Sequence, residues 1–454
     1  MKKLLVVLMA LLFTTGAFAQ STGAKFDYSL FGLAYGTMGN YGSADKWDYQ
    51  HIRLRPMLSV GNQNIKGVVE FQIDQTYGAS NGYDPDNYTA GSKTMNPEWG
   101  SDVDGAGILA RNKAVKVRQA YLSANNVFMP GVGFITGLVA YYYPLVADIE
   151  AAVTGVSYDF GMGTASLYYV KINEDFVATK AGGQFMDDWN GTGDDVPYEM
   201  KNDVQAYLLD VSVKVNNIDI RPALAYATAE KGFAALKNLK AYLGAVNATG
   251  DMGMFDFDFT AAYLSYKTDK EVTVGTDLKK VKGGAYGVDL GVNVKPDPNM
   301  VVGIFGTYAS GADKANKLGY YQAVDSLFDG GVPAGRLYML QQGGTQDNGG
   351  YYPEDLSYGA RVDKVGSMAF GLSAQYTLGK LVIFAQYGYV MSAKEKEVAG
   401  KKYDSIGQEI DAKISYEIAP KTNLFVEGAY IINGDDVFLY KSAKQVLWGL
   451  MTKI

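Results

Sequence analysis

From Ile52 to Tyr77 the chain reads IRLRPMLSVGNQNIKGVVEFQIDQTY, two strands joined by a tight turn at Gly61–Asn64. On the first, Ile52, Leu54, Leu58 and Val60 share one face, and Arg53, Arg55 and Ser59 share the other. On the second, Ile65, Val69, Phe71 and Ile73 alternate with Lys66, Glu70, Gln72 and Asp74. Strand side chains point alternately to opposite faces, so each strand has one apolar and one polar side. Two architectures accept such a hairpin. A soluble sheet turns the polar side to water; a membrane barrel turns the apolar side to lipid and the charged side to a lumen.

The connections along the rest of the chain decide between them. Eighteen stretches read as strands: 26–35, 47–60, 64–77, 113–124, 132–142, 150–160, 164–173, 203–215, 218–228, 237–248, 253–266, 283–295, 299–309, 366–378, 380–392, 405–418, 422–432 and 444–454. Turns such as Asn216-Asn217, Thr249–Gly253, Gly379 and Ala419–Thr422 are short and follow even-numbered strands. The long segments 78–112, 174–202, 267–282, 310–365 and 393–404 follow odd-numbered ones. Sorting loops by parity is what a transmembrane barrel does, with short periplasmic turns and long outer loops. The fold predicted is all-β, a transmembrane antiparallel barrel of about 18 strands, with 16 as the other admissible count. Both termini then lie on the periplasmic side.

The two-faced pattern recurs. Phe255, Phe257, Phe259 and Tyr263 alternate with Asp256, Asp258 and Thr260. Tyr286, Val288, Leu290, Val292 and Val294 alternate with Asp289 and Asn293, and Ile410, Ala412, Ile414, Tyr416 and Ile418 with Glu409, Asp411, Lys413, Ser415 and Glu417. The 35 tyrosines suit an interfacial belt and the 54 glycines suit turns and bends. There is no cysteine, so rigidity must come from closure of the sheet rather than from disulfides.

Residues 1–19 read as a secretory signal peptide: Lys2 and Lys3, an apolar run from Leu4 to Phe13, and Ala17-Phe18-Ala19 before Gln20. Residues 20–454 are expected to form one barrel domain with a large insertion at 310–365, the place for a short helix or an in-folded loop. The formal charge is −7, and loss of the two leader lysines makes it −9, which argues against nucleic acid as a partner. The expected location is the cell outer membrane. The expected partners are small hydrophilic solutes, outer-membrane lipid and the barrel-assembly machinery.

Several constellations bear on function. Arg53, Arg55, Lys66, Lys116 and Arg118 share inward parity on three neighbouring strands and predict a positive wall. Tyr121 falls on the outward face with Val115 and Val117, and Ala120 inward. Glu70 joins the inner face, as do Glu409, Asp411 and Lys413. Asp210, Asp256, Asp258 and Asp289 predict an acidic row across from the basic one, a field that orients polar solutes. Inward positions read as charged or small, among them Ala223, Ala262, Gly291, Ser373 and Thr377, which favours an open lumen over a plugged one. The run Asp187–Asp195 offers oxygen ligands for calcium but reads more simply as a solvated acidic loop. Paired tyrosines at 141–143, 168–169, 320–321 and 351–352 fit a sugar track or, more simply, belt and loop packing. The sole histidine, His51, has no serine partner by sequence logic, and no enzyme, metal or cofactor is predicted.

Val117-Arg118-Gln119-Ala120-Tyr121-Leu122, followed by Pro130-Gly131 and Gly133 to Gly137, resembles paired strands of Gram-negative porins. Ile406 to Asp411, Ala419 to Leu424, Gly428-Ala429-Tyr430 and Asn433-Gly434-Asp435-Asp436 are similar to the closing strands of alginate-export-type porins. The resemblance implies an eighteen-stranded monomeric barrel passing anionic or polar solutes, without implying alginate. Asn433 stands where proline is common, and the chain ends on Ile454 rather than an aromatic residue.

Overall fold

The computed structural model describes residues 25–41, 45–62, 64–77, 108–110, 113–173, 204–231, 237–269, 272–274, 277–312, 317–318, 320, 323–324, 336–338, 340, 366–398, 401–432 and 442–454. The strands are β1 Lys25–Tyr41, β2 Asp45–Gly61, β3 Ile65–Tyr77, β4 Ile108–Ala110, β5 Lys113–Asn125, β6 Val132–Tyr143 and β7 Ala147–Asp159. There follow β8 Gly163–Asn173, β9 Val204–Val215, β10 Ile218–Lys231, β11 Lys237–Asp251, β12 Phe255–Thr268, β13 Val272–Val274 and β14 Asp277–Lys279. The chain continues with β15 Lys282–Asp297, β16 Met300–Ala309, β17 Ser367–Leu378, β18 Leu381–Val398, β19 Lys401–Ala419, β20 Thr422–Ile432 and β21 Ala443–Lys453.

Eighteen of these strands pair antiparallel in chain order, and β1 closes on β21 from Phe31↔Lys453 to Tyr41↔Ala443. Closure removes the sheet edges that an open sheet would expose. All eighteen expected stretches overlap wall strands. The short pieces β4, β13 and β14 were not foreseen: β13 and β14 form a small hairpin of their own, and β4 pairs with the end of β5.

Alternation sorts the side chains as a membrane wall requires. Leu290, Ile304, Leu372, Ile414 and Leu450 stand exposed on the outer face. Thr260, Gln386, Glu409, Asp411 and Glu427 are buried on the inner one. No helix among the described residues is long and apolar enough to cross a membrane. The wall strands make their ladder hydrogen bonds within a closed sheet, the arrangement that a bilayer-spanning sheet requires.

One strand departs from the expected parity. A β-bulge between Glu70 and Phe71 on β3 leaves Arg118 of β5 as the extra residue. Arg118 and the next residue, Gln119, both bond to Glu70. An extra residue reverses the alternation beyond it. Leu122 is therefore exposed outward, with Ala120 on its face, and Tyr121 turns inward with Gln119. The simple alternation that put Tyr121 outside and Ala120 inside fails at this bulge.

Candidate functional site: a lumen entered by two segments

The register shows one hairpin leaving the wall. β5 and β6 pair only as far as Ala120↔Leu138, and β7 and β8 only as far as Ala152↔Lys171. β6 and β7 stay paired to each other up to Tyr143↔Ala147. The tip, residues 139–151, is thus bonded to itself and bends into the barrel. Gly137 sits at the bend with φ +132°, and a Cβ there would collide with the carbonyl of Ala120. Only glycine accepts that backbone without strain.

Inside, the tip meets an apolar seat. Tyr143, Val146 and Ala147 pack with Val170, Ala206, Leu208, Ala223, Leu243 and Ala262 from the inner faces of β8 to β12. An apolar cavity of about 30 Å³ remains between them, lined by Tyr141, Ile149 and Leu243 among others. That is room for about one water, and without polar lining it stays dry. Polar bonds hold the rim. Arg221 grips Asp210 (Nε to Oδ1 2.9 Å, Nη2 to Oδ2 2.6 Å) and donates from Nη1 to the Tyr142 carbonyl at 3.1 Å. Its guanidinium lies 4.8 Å from the Tyr143 ring and 5.5 Å from the Tyr141 ring. The Tyr141 hydroxyl donates to Asp210 at 3.2 Å, and the Tyr143 hydroxyl to the Arg221 carbonyl. On the other flank, Arg118 Nε donates to Glu150 of the tip at 2.7 Å.

The second segment follows β16. Tyr320 is fully buried; its hydroxyl donates to the Leu145 carbonyl at 2.9 Å, joining the two segments. Arg336 bridges Asp258 and Asp289, with Nη2 2.7 Å from Asp289. The Tyr338 amide donates to Asp411 at 3.2 Å and the Leu340 amide to Glu409 at 2.6 Å. Gln386 donates to the Arg336 carbonyl at 2.8 Å and to Asp411 at 2.6 Å. Inward glycines make room: Tyr320 lies over Gly287, Arg336 over Gly291 and Leu337 over Gly388. A buried carboxylate is tolerated only when its charge meets donors, and these backbone amides and amide groups supply them.

Among the described side chains, the charges named from sequence share the inner face but pair locally rather than forming two facing rows. Asp258 and Asp289 take Arg336, Asp210 takes Arg221, and Asp256 takes Asn293 and Lys295 (3.1 Å). The expected acidic row is thus spent on holding structure, because a half-buried carboxylate is costly unless paired. On the basic side Arg53 is buried. Arg55 donates to Gln72 at 2.7 Å and lies over Phe31, whose ring also carries Lys453 at 5.9 Å. Lys66 is exposed near the short-turn end, and Lys413 pairs with Glu427 at 3.4 Å over Phe425. The backbone of Lys116 is opposite Gln72. The side chains of Lys116 and His51, the run 187–195 and Tyr351-Tyr352 lie outside the described residues. The expectation of charged or small inward positions also fails on β9 to β12, where Leu208, Leu243 and Leu264 face inward under the two segments.

Sequence reasoning missed Arg336, Gly137 and the seat. Signals for them exist. Residues 204–209, 239–245 and 261–266 carry apolar side chains on both faces, and a wall strand apolar on its lumen side must be covered by something.

No family model and no curated protein sequence matches the chain. Solved structures do. Pseudomonas aeruginosa OccK2 (OpdF) superposes with TM-score 0.55 at 8% identity, covering 95% of this chain and 98% of that one. P. aeruginosa OccK8 (OprE) gives 0.53 at 9%, covering 95% and 98%. P. aeruginosa OpdK, solved with vanillate, gives 0.51 at 8%, covering 94% and 98%. At such identities the likeness is one of fold: along nearly its whole length this chain is built like the outer-membrane porins.

Proposed function

We propose that the protein is an outer-membrane channel through which small hydrophilic solutes, anionic or polar, diffuse passively. The observation that carries this reading is a closed barrel, apolar outside and charged inside, whose lumen is entered but held by ordered segments. Export with a cleaved leader and insertion by the barrel-assembly machinery belong to the same proposal. The first segment covers the inner wall of β8 to β12, and the second packs Leu337, Tyr338 and Leu340 against Leu33, Tyr35, Phe425 and Ile431 of β1 and β20, which leaves the solute path the wall around Arg55, Lys66 and Lys453 toward the short-turn ends. There Arg55 and Lys453 meet the ring of Phe31 and Lys413 that of Phe425, with Arg53 and Lys66 on the neighbouring strands β2 and β3. Cations beside aromatic faces suit a solute with a carboxylate and a flat apolar body, and vanillate in the OpdK structure is of that class. The narrower likeness of residues 405–436 to alginate-export-type porins lies in strand and turn motifs and adds no substrate.

The test is the reversal potential in a salt gradient. Arg53, Arg55 and Lys66 changed together to glutamate should move it toward cation preference, less so as salt rises and screening sets in. Arg118 is left intact because it also holds the tip through Glu150. A folded, conducting variant with the wild-type preference overturns the assignment of these residues. A second reading, a surface structural or adhesive protein with a plugged barrel, is favoured by the dry seat that fills one side of the lumen. Absence of any single-channel conductance would select it.

A further inference from the structure

The outer face carries one row of charge that neither the wall nor the lumen explains. In the ladder Lys240 is directly opposite Lys267, and Lys267 directly opposite Lys282. The inward neighbours Ala241, Leu243, Leu264, Tyr266, Val281 and Ala285 are buried, so all three lysines point away from the barrel. They lie at the end of β11, β12 and β15 that the long connections join, opposite the short turns. Adjacent strands are about 4.8 Å apart, so the three ammonium groups start from neighbouring stems. Like charges directly opposite one another on a sheet are destabilising. Lys280 adds a fourth cation beside them, and the one carboxylate described there, Asp269, pairs with Lys240 at 2.6 Å. Among the described side chains the set keeps a surplus of positive charge.

Just below the row is an aromatic layer. Tyr242 is two residues along β11 from Lys240, Tyr263 four along β12 from Lys267, and Tyr286 four along β15 from Lys282, all exposed outward. Tyr242 also packs on Tyr226 at 4.9 Å between ring centroids. Tyrosine rings of this kind mark the headgroup level of a bilayer, and the lysines sit one step above it. At that depth the anion available at high local concentration is a lipid phosphate. Phosphate oxygens accept charge-assisted hydrogen bonds from several ammonium groups at once.

We infer that Lys240, Lys267 and Lys282 form a binding site for the phosphorylated headgroup of an outer-leaflet glycolipid. The site is on the outside of the barrel and is independent of what passes through it. It rests on the membrane placement proposed above, so conductance is recorded in parallel as a separate check on that placement. The experiment delipidates the purified barrel in mild detergent, adds bis-phosphorylated lipid A, and counts retained lipid by native mass spectrometry. Wild type should retain it, and K240A/K267A/K282A should retain at least tenfold less while folding and conducting as wild type does. Lipid A stripped of phosphate should be retained no better by wild type than by the variant. D269N, which frees Lys240 from its carboxylate, should retain more. Equal retention by wild type and the triple variant, or equal retention of the dephosphorylated lipid, overturns the site. Inorganic phosphate bound as tightly as the lipid would mean a free-anion site and also overturn it. Should the triple variant fail to fold, D269N decides: more lipid supports the site, and unchanged or less lipid overturns it.

Discussion

The two segments that enter the lumen are held by different chemistry. The β6–β7 tip rests on an apolar seat, with ring stacking and a few bonds at its rim. The segment around Arg336 to Leu340 adds buried charge to an apolar seat of its own: Leu337, Tyr338 and Leu340 pack with Leu33, Tyr35, Phe425 and Ile431, while a guanidinium bridges Asp258 and Asp289 and two backbone amides meet Glu409 and Asp411. Area burial is forgiving and additive, about 25 cal/mol for each Å². A buried charge network is not, because losing one partner strands the others. The tip should therefore weaken by degrees, and the second segment should lose most where its charge network is cut.

The largest effect is expected at Arg336. Arg336→Ala leaves Asp258 and Asp289, diagonal neighbours on the paired strands β12 and β15, without their shared cation, at a cost of about 2–4 kcal/mol. Single-channel conductance should rise and the heat-induced gel shift should fall. Arg336→Lys should recover only part of this, since an ammonium cannot span two carboxylates as a planar fork does. A variant with unaltered conductance would show that the segment does not narrow the path.

Next comes the seat. Leu243→Ala enlarges a cavity beneath the tip and should cost about 2–3 kcal/mol in unfolding. Leu224→Ala, on the outer face of neighbouring β10, should cost under ~1 kcal/mol, because lipid refills the space. Equal costs would mean that Leu243 is not covered.

Gly137→Ala should cost about 1–3 kcal/mol from the forced backbone and disturb the tip without touching Arg336. Noise in the open-channel current, with little change in mean conductance, is the expected sign. The smallest effect belongs to Arg118→Ala, which takes one partner from Glu150 and one from Glu70 while Gln119 still bonds Glu70 and Arg221 and the seat still hold the tip. Conductance should shift slightly, and stability by about 1–2 kcal/mol, since the pair with Glu150 is partly open to water and Gln119 still bonds the buried Glu70.

The wall was legible from sequence because lipid imposes one rule on every strand. Period-two alternation at Phe255–Phe259 or Ile410–Ile418 has no other reading once the loops sort by parity. The interior obeys no such rule. At Arg118 one extra residue turned Tyr121 inward, and nothing in the alternation marks a bulge. Arg336 is one of several cations in a long insertion, and its partners Asp258 and Asp289 are 78 and 47 residues away. Glycines at 287, 291 and 388 look like strand bends until the side chains that occupy their space are known. Long-range pairing inside a lumen depends on where a segment lands, which no local pattern encodes.

The central claim is that the lumen wall under the β6–β7 tip is dry and covered while solutes pass along the wall at Arg55 and Lys453. The chain has no cysteine, so each introduced thiol reports alone. The direct measurement is the rate at which a water-soluble, charged thiol reagent modifies Leu243→Cys and Ala223→Cys, compared with Arg55→Cys and Lys453→Cys, in the folded barrel. The account predicts rapid labelling of Cys at 55 and 453, with a fall in conductance on modification, and at least a hundredfold slower labelling at 243 and 223. Labelling at 243 as fast as at 453 would contradict it.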